Sequence, residues 1–325
     1  MRRRAFIAGL GSAAVWPMDL RAQPMPVVGF LSGATLETMR EYVEEFHPGL
    51  ADTGFTQGRN VAIEYRWAEG NNDQLPSLAA DLVRREVSVI IAAASTPAAL
   101  AAKAATKTIP IVFFVGTDPV KVGLVTTLAR PGGNATGITV LNVELLSKNV
   151  ELMHSMMPSG TKIAVIVNPA NPVQTLTEVG MMQDAARILG ARVTVLNATN
   201  AREIEAAFAA MINDRIGALV ISGENFFLTQ RVLIVELAAR HSVPAIFPFR
   251  EFVLAGGLMS YGAHVTKAFR QVGAYTGRIL KGEKAADLPV QRLTRVELAI
   301  NLRTARALGL DVPTALLGRA DLVIE

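Results

Sequence analysis

Residues 109–119 read IPIVFFVGTDP, and this stretch decides the fold. Ile109, Ile111, Val112, Phe113, Phe114 and Val115 form a short apolar run rich in β-branched and aromatic residues. That composition predicts a strand buried on both faces. Gly116, Thr117, Asp118 and Pro119 then form a turn, where the backbone leaves the sheet. In an open α/β sheet the carboxyl ends of the strands form the ligand crevice. Thr117 and Asp118 are therefore expected at its lip.

The same grammar recurs along the chain. Residues 26–31, 61–67 and 87–93 read as strands ending at Ser32-Gly33, Ala68-Glu69-Gly70 and Ala94-Ser95-Thr96-Pro97. Helical patterns at 37–53, 74–85 and 98–106 separate them. A second series begins at residue 162. Its strands at 162–167, 192–196, 218–221 and 245–249 alternate with helices at 177–189, 204–213 and 229–241. Val28 corresponds to Val165, Val61 to Val193, Ile90 to Val220 and Ile111 to Ile246. The expected fold class is α/β: two similar doubly wound parallel-sheet lobes. Further units at 258–262, 265–281, 288–302 and 304–308 follow the second series, as expected if the chain returns between lobes. Three crossover segments are expected, near 138–142, 249–256 and 284–292. Lobe 1 is expected from 26–139 plus 254–286, and lobe 2 from 140–253 plus 287–325.

Composition limits the chemistry. The chain has 325 residues, half of them hydrophobic, and no cysteine. Disulfides, thiol nucleophiles, Cys-ligated metals and a lipid-anchoring cysteine are excluded. The net charge of +4 lies mostly at the start, where Arg2, Arg3, Arg4 and Arg21 outweigh Asp19. The near-neutral remainder carries no electrostatic footprint for nucleic acid. Residues 1–22 read as a targeting segment: basic Arg2-Arg3-Arg4, then an apolar run from Ala5 to Trp16 too short to span a bilayer. Arg3-Arg4-Ala5-Phe6-Ile7 resembles a twin-arginine signal, with a general secretory signal as the alternative. Either predicts an exported mature chain from about Gln23, without direct membrane insertion.

Many short motifs stand in order over nearly the whole mature chain: GFLSG, YRWAEG, STPAALAAK, GTDPVKVGLV, RPGGNATG, VNPANP, REFVLAGGLMSYG, GRILKGEKAADLPVQ and INLRTARALGLDVP. Together with MRRRAF they resemble the tryptophan/tyrosine-type substrate-binding proteins of ABC transporters. The resemblance implies a type I periplasmic binding protein fold, a Venus-flytrap with its ligand between the lobes. It also implies a periplasmic location, an inner-membrane ABC permease as partner, and an amino acid or aromatic acid as ligand. A monomer without cofactor or metal is expected. An extracytoplasmic ligand-sensing subunit of a signalling receptor is the alternative.

Strand-end loops nominate the ligand-binding residues. They are Ser32, Ser95, Thr96, Thr117 and Asp118 from the first lobe, and Asn168, Glu224, Asn225 and Phe247 from the second. Asn142 lies just past the first expected crossover, and Tyr261 ends a strand beside Gly262, where its hydroxyl needs a partner. Ser95-Thr96-Pro97 has the form of a helix start, whose amides and dipole suit a carboxylate. Asp118 or Glu224 suits an ammonium group. Phe226, Phe227, Phe247, Phe249 and Tyr261 suggest an aromatic wall, although core packing is the better explanation of any single Phe. No catalytic residue is nominated. His47, His154, His241 and His264 fall outside metal-ligand spacing, and the sequence holds no GxSxG elbow or GxxxxGK[ST] phosphate loop. A cysteine-pair racemase is excluded by the absence of cysteine.

Overall fold

The computed structural model describes residues 25–140 and 142–325, with the side chains of 142–144 outside the description. The expected signal at 1–22 lies outside the described residues. The first series forms β1 (Val27–Ser32), α1 (Leu36–Ala51), β2 (Ala62–Trp67), α2 (Leu75–Arg84), β3 (Val89–Ala93), α3 (Thr96–Ala105), β4 (Ile111–Val115) and β5 (Ala135–Thr139). β4 is fully buried, as its composition requires. The second series is α4 (Asn142–Met156), β6 (Lys162–Val167), α5 (Pro172–Leu189), β7 (Arg192–Asn197), α6 (Ala201–Asn213), β8 (Ala218–Ile221), α7 (Asn225–Thr229), α8 (Arg231–Arg240), β9 (Ala245–Phe247), α9 (Arg250–Leu254) and β10 (Met259–Ala263). Then come α10 (Val265–Leu280), β11 (Gln291–Arg292), β12 (Val296–Asn301), α11 (Leu302–Ala307), α12 (Thr314–Leu317) and β13 (Leu322–Ile324).

Two sheets result. A six-stranded sheet has the order β11-β5-β4-β3-β1-β2, and a seven-stranded sheet the order β13-β12-β10-β9-β8-β6-β7. Strand pairs are parallel except β10 with β12. Each sheet carries helices on both faces, so the molecule has two α/β lobes.

Sheet membership corrects the two later boundaries. β10 was expected in lobe 1, yet it pairs with β9 and β12 of the seven-stranded sheet. Its apolar residues complete that sheet before the chain leaves it. Residues 288–293 were expected in lobe 2, yet they run along β5. The Thr136 hydroxyl donates to Leu288 O at 2.6 Å, the Val290 amide to Leu128 O at 2.7 Å, and β11 pairs with β5. The chain therefore passes between the sheets three times: after β5, at His264 between β10 and α10, and between β11 and β12. The expected crossings at 249–256 and 284–292 lie too early. β5, inside the expected first lobe, pairs with β4 along its whole length.

α10 carries the returning chain back onto the first lobe, packed on α1 and the face of β3, β4 and β5. The contact is close. A Cβ on Gly49 would stand 1.9 Å from Arg270 O, and one on Gly273 would stand 2.3 Å from Phe46 O. Phe269 stacks on Tyr42 and meets Phe114 at 5.4 Å between ring centroids. Only helices lacking side chains at the crossing can approach so far, which ties sequence to packing here.

Gly49→Ala is therefore expected to destabilise the protein by about 1–3 kcal/mol through overpacking. Gly180→Ala, exposed within α5 with nothing within 4 Å of its added Cβ, should be neutral or stabilise by up to about 1 kcal/mol. Urea unfolding of both variants checks this, and equal effects would contradict the close crossing.

Candidate functional site

A space with polar walls lies between the lobes, at the carboxyl ends of the strands. Tyr42, Ala94, Ser95, Thr96, Phe114 and Gly116 line one side, and Asn171, Gln174, Gly223, Glu224, Asn225, Leu228 and Phe249 the other. Val265, just past the second crossing, completes it. The space between atoms is about 440 Å³, open solvent included. Among the described lining residues there is no Lys, Arg or His.

On the first lobe the strand ends build an acceptor for negative charge. β3 ends at Ala94, whose φ of 51° turns the chain sharply into α3. Ser95 caps that helix, its hydroxyl accepting from the Ala98 amide at 3.1 Å. Pro97 needs no partner, and the Thr96 amide at the first helical position has none within the helix. The Thr96 hydroxyl meets the Thr117 hydroxyl at 3.0 Å, which ties the ends of β3 and β4 together.

The second lobe supplies carboxyls. Glu224 follows β8 and caps α7, accepting from the Phe226 amide at 2.6 Å and from Asn168 Nδ2 at 3.2 Å. Burial pushes its pKa up, against these hydrogen bonds and one from Asn171. α5 begins at Pro172, so Asn171, Gln174 and Glu178 fall on one helical face. Asn171 Nδ2 donates to Gln174 Oε1 at 3.0 Å, and Gln174 Nε2 donates to Glu178 Oε1 at 2.8 Å. All three are buried, and Glu178 Oε2 has no partner. Burial lifts the Glu178 pKa to about 7, opposed by the Gln174 hydrogen bond and raised further by Glu224.

Two hydrogen bonds join the lobes across the cleft. Asn225 Nδ2 donates to Ala94 O, and the Tyr42 hydroxyl donates to Glu251 Oε1 at 2.7 Å. Tyr42 and Leu228 also line an outer groove with Glu37, Glu41, Arg231 and Glu251. The Tyr42–Glu251 bond thus stands between the cleft and that groove.

The chain matches the model of the ABC transporter substrate binding protein family over residues 25–324. The protein belongs to this family. A curated relative, the tyrosine-binding protein of Clostridioides difficile (strain R20291), is 29% identical over 266 residues, which cover 82% of this chain and 76% of that one. The substrate-binding fold is also matched by the ABC domain of Streptococcus pneumoniae solved with L-Trp, at 25% identity and a TM-score of 0.83, covering 92% of this chain and 99% of that one. At the same identity and coverage, the ligand-free, open structure of CD0873 from Clostridium difficile gives a TM-score of 0.64. The present structure is thus more similar overall to the L-Trp complex. The fold is that of type I periplasmic binding proteins, and among the described residues no helix is long and apolar enough to cross a membrane.

The structure divides the nominated residues. Ser95, Thr96, Glu224 and Asn225 line the cleft, with Thr117 and Asn168 directly behind them. Ser32 is buried near by, donating to Ala93 O at 3.2 Å rather than lining the cleft. Asp118 is not among the cleft-lining residues, and its carboxylate accepts from the Val120 amide at 2.9 Å within its own turn. Phe247 stacks on Phe252 at 4.5 Å and lines a separate space with Val235 and Leu258. Tyr261 lies in a small space against Leu145, Leu146 and Asn149, outside the cleft. Phe226 and Phe227 pack into the core, and of the nominated aromatic residues Phe249 lines the cleft. Asn142 opens α4, but its side chain lies outside the described residues. Tyr42, Phe114, Asn171 and Gln174 escaped sequence reading. The signal for the last two was Asn171-Pro172, a helix start placed five residues earlier than the apolar pattern indicates.

Glu178 gives a testable pH dependence. Its folded pKa exceeds its ordinary 4.5, so folding takes up a proton between 4.5 and about 7. Stability therefore falls as pH rises through that window, by about 3 kcal/mol from this group alone. Glu224 and Glu251, also raised by burial, act in the same direction. Urea unfolding from pH 4.5 to 8 should give a shallower fall for Glu178→Gln than for the unsubstituted protein. An identical fall would contradict a buried, proton-retaining Glu178.

Proposed function

We propose that the protein binds an α-amino acid with an aromatic side chain in the interlobe cleft and delivers it unchanged to an inner-membrane ABC permease. The observation that carries this reading is charge placement. A helix amino terminus on one lobe faces a buried carboxyl on the other, with no basic residue among the described lining. A zwitterion satisfies both ends. Its carboxylate takes the Thr96 amide and hydroxyl, and its ammonium takes Glu224. Tyr42, Phe114, Leu228, Phe249 and Val265 offer the apolar surface for its side chain. The tyrosine- and L-Trp-binding relatives support this ligand class. The two lobes contribute different ends of the ligand, so binding favours the closed arrangement. The basic and apolar sequence at 1–22 supports export to the periplasm, where a soluble monomer would act without cofactor. On this reading the lobe boundaries follow the three observed crossings.

A thermal-shift screen of the mature chain against amino acids tests this. L-Tyrosine or L-tryptophan at 100 times its dissociation constant should add about 2.7 kcal/mol of stability. Glu224→Gln should weaken the best ligand about 10- to 100-fold, the value of a charge-assisted hydrogen bond. Asp118→Ala should leave affinity unchanged. No shift with any amino acid, or an unaffected Glu224→Gln, would sink the reading. Stopped-flow release should also be severalfold faster in Tyr42→Phe, which removes the Tyr42–Glu251 bond.

A further inference from the structure

Glu178 is a carboxyl buried behind the cleft wall that ligand contact alone does not explain. It is 1% exposed, and its Oε2 lacks a partner, as does the nearby Ser222 hydroxyl. Its Oε1 ends a directed chain of side-chain amides. Gln174 gives its N–H to Glu178 and its carbonyl to the Asn171 N–H, and the Asn171 side chain also hydrogen-bonds Glu224. Gln174, Asn171 and Glu224 all line the cleft. Two buried carboxyls are thus joined through the Gln174 amide and the shared Asn171 amino group, with no cation among the described lining to compensate them. In a low-dielectric interior such chains polarise one another, and each carboxyl acts on charge near the other.

We propose that Glu178 is a positioning and specificity residue, which through Gln174 and Asn171 makes the Glu224 pocket select ligands bearing an α-ammonium over neutral analogues when it is ionised. The inference rests on the proposed amino-acid site and deepens it. With Glu178 ionised, two negative ends act on the group seated at Glu224. With Glu178 protonated, the proton on Oε2 faces Ser222 and one of those ends is silent. Selection for the ammonium therefore strengthens as pH rises through the range where Glu178 loses its proton. Burial places that range near 7. Glu224 is the charged neighbour that acts on Glu178. On α4, packed against α5, Lys148 pairs with Glu151 at the surface and His154 stands in the last turn; on α5 itself Asp184 pairs with Arg187 in solvent.

The test compares an aromatic amino acid with its α-hydroxy analogue, L-tyrosine with 4-hydroxyphenyllactate, by calorimetry at pH 5.5 and pH 8. Both probes keep their charge over this range, so a changing preference reports on the protein. The preference of the unsubstituted protein for L-tyrosine should rise about tenfold, the effect of roughly one pK unit of coupling. In Glu178→Gln, the neutral isostere, the rise should shrink to less than about threefold. Gln174→Leu cuts the chain while leaving Glu178 in place, and it should flatten the rise too. It also carries the test alone if Glu178→Gln does not fold. A purely structural role would weaken both probes together and leave the pH profile of their ratio unchanged. A full rise in either variant, or a flat ratio in the unsubstituted protein, overturns the inference while leaving the amino-acid site standing. Failure of the unsubstituted protein to bind either probe overturns both.

Discussion

A carboxyl buried without a cation is costly, and much of the cleft follows from that constraint. Glu224 is buried at the end of β8, between an amide at its own helix and the side chain of Asn168. Two or three hydrogen bonds soften the desolvation penalty without supplying the opposite charge. The described lining withholds that charge, and the Arg231 guanidinium lines the outer groove beyond Tyr42 instead. The pocket is therefore electrostatically incomplete until a positive group enters. The same incompleteness, opposite in sign, marks the start of α3 on the facing lobe. A ligand carrying both charges completes both at once, and it does so only if the lobes approach.

Closure needs a frame that moves without coming apart. Three chain passes between the sheets provide it, and α10 anchors the returning chain by its close crossing with α1. Each lobe keeps its own core on the outer faces of its sheet, while a continuous apolar cluster runs beneath the cleft. Among the described residues, the Asn225–Ala94 and Tyr42–Glu251 side-chain hydrogen bonds span the cleft. Rigid lobes with few cross-cleft bonds let a small ligand bias the balance between open and closed forms.

The sequence was legible where local pattern and burial agree. β4, β6 and β8 are short, apolar and fully or nearly fully buried, and their composition alone marks them. Ser95-Thr96-Pro97 announced its helix because capping chemistry is local. Three things were hidden. The sheet that β10 joins depends on pairing with residues far along the chain, which periodicity does not encode. Asp118 looked like a ligand group, but a carboxylate just before a turn proline can satisfy its own turn as readily as a guest, and here it accepts from the Val120 amide. Gln174 and Glu178 were hidden because α5 is polar over its first turns, so its apolar rhythm starts late. The helix begins at Pro172 nonetheless, and it is this early start that brings Asn171, Gln174 and Glu178 to the site.

The most direct measurement is a crystal structure of the mature chain grown with L-tyrosine. The account predicts the ligand carboxylate within hydrogen-bond distance of the Thr96 amide, its ammonium on Glu224, and its ring among Tyr42, Phe114 and Phe249. A ligand reversed between the lobes, or held by one lobe with Glu224 untouched, would contradict it.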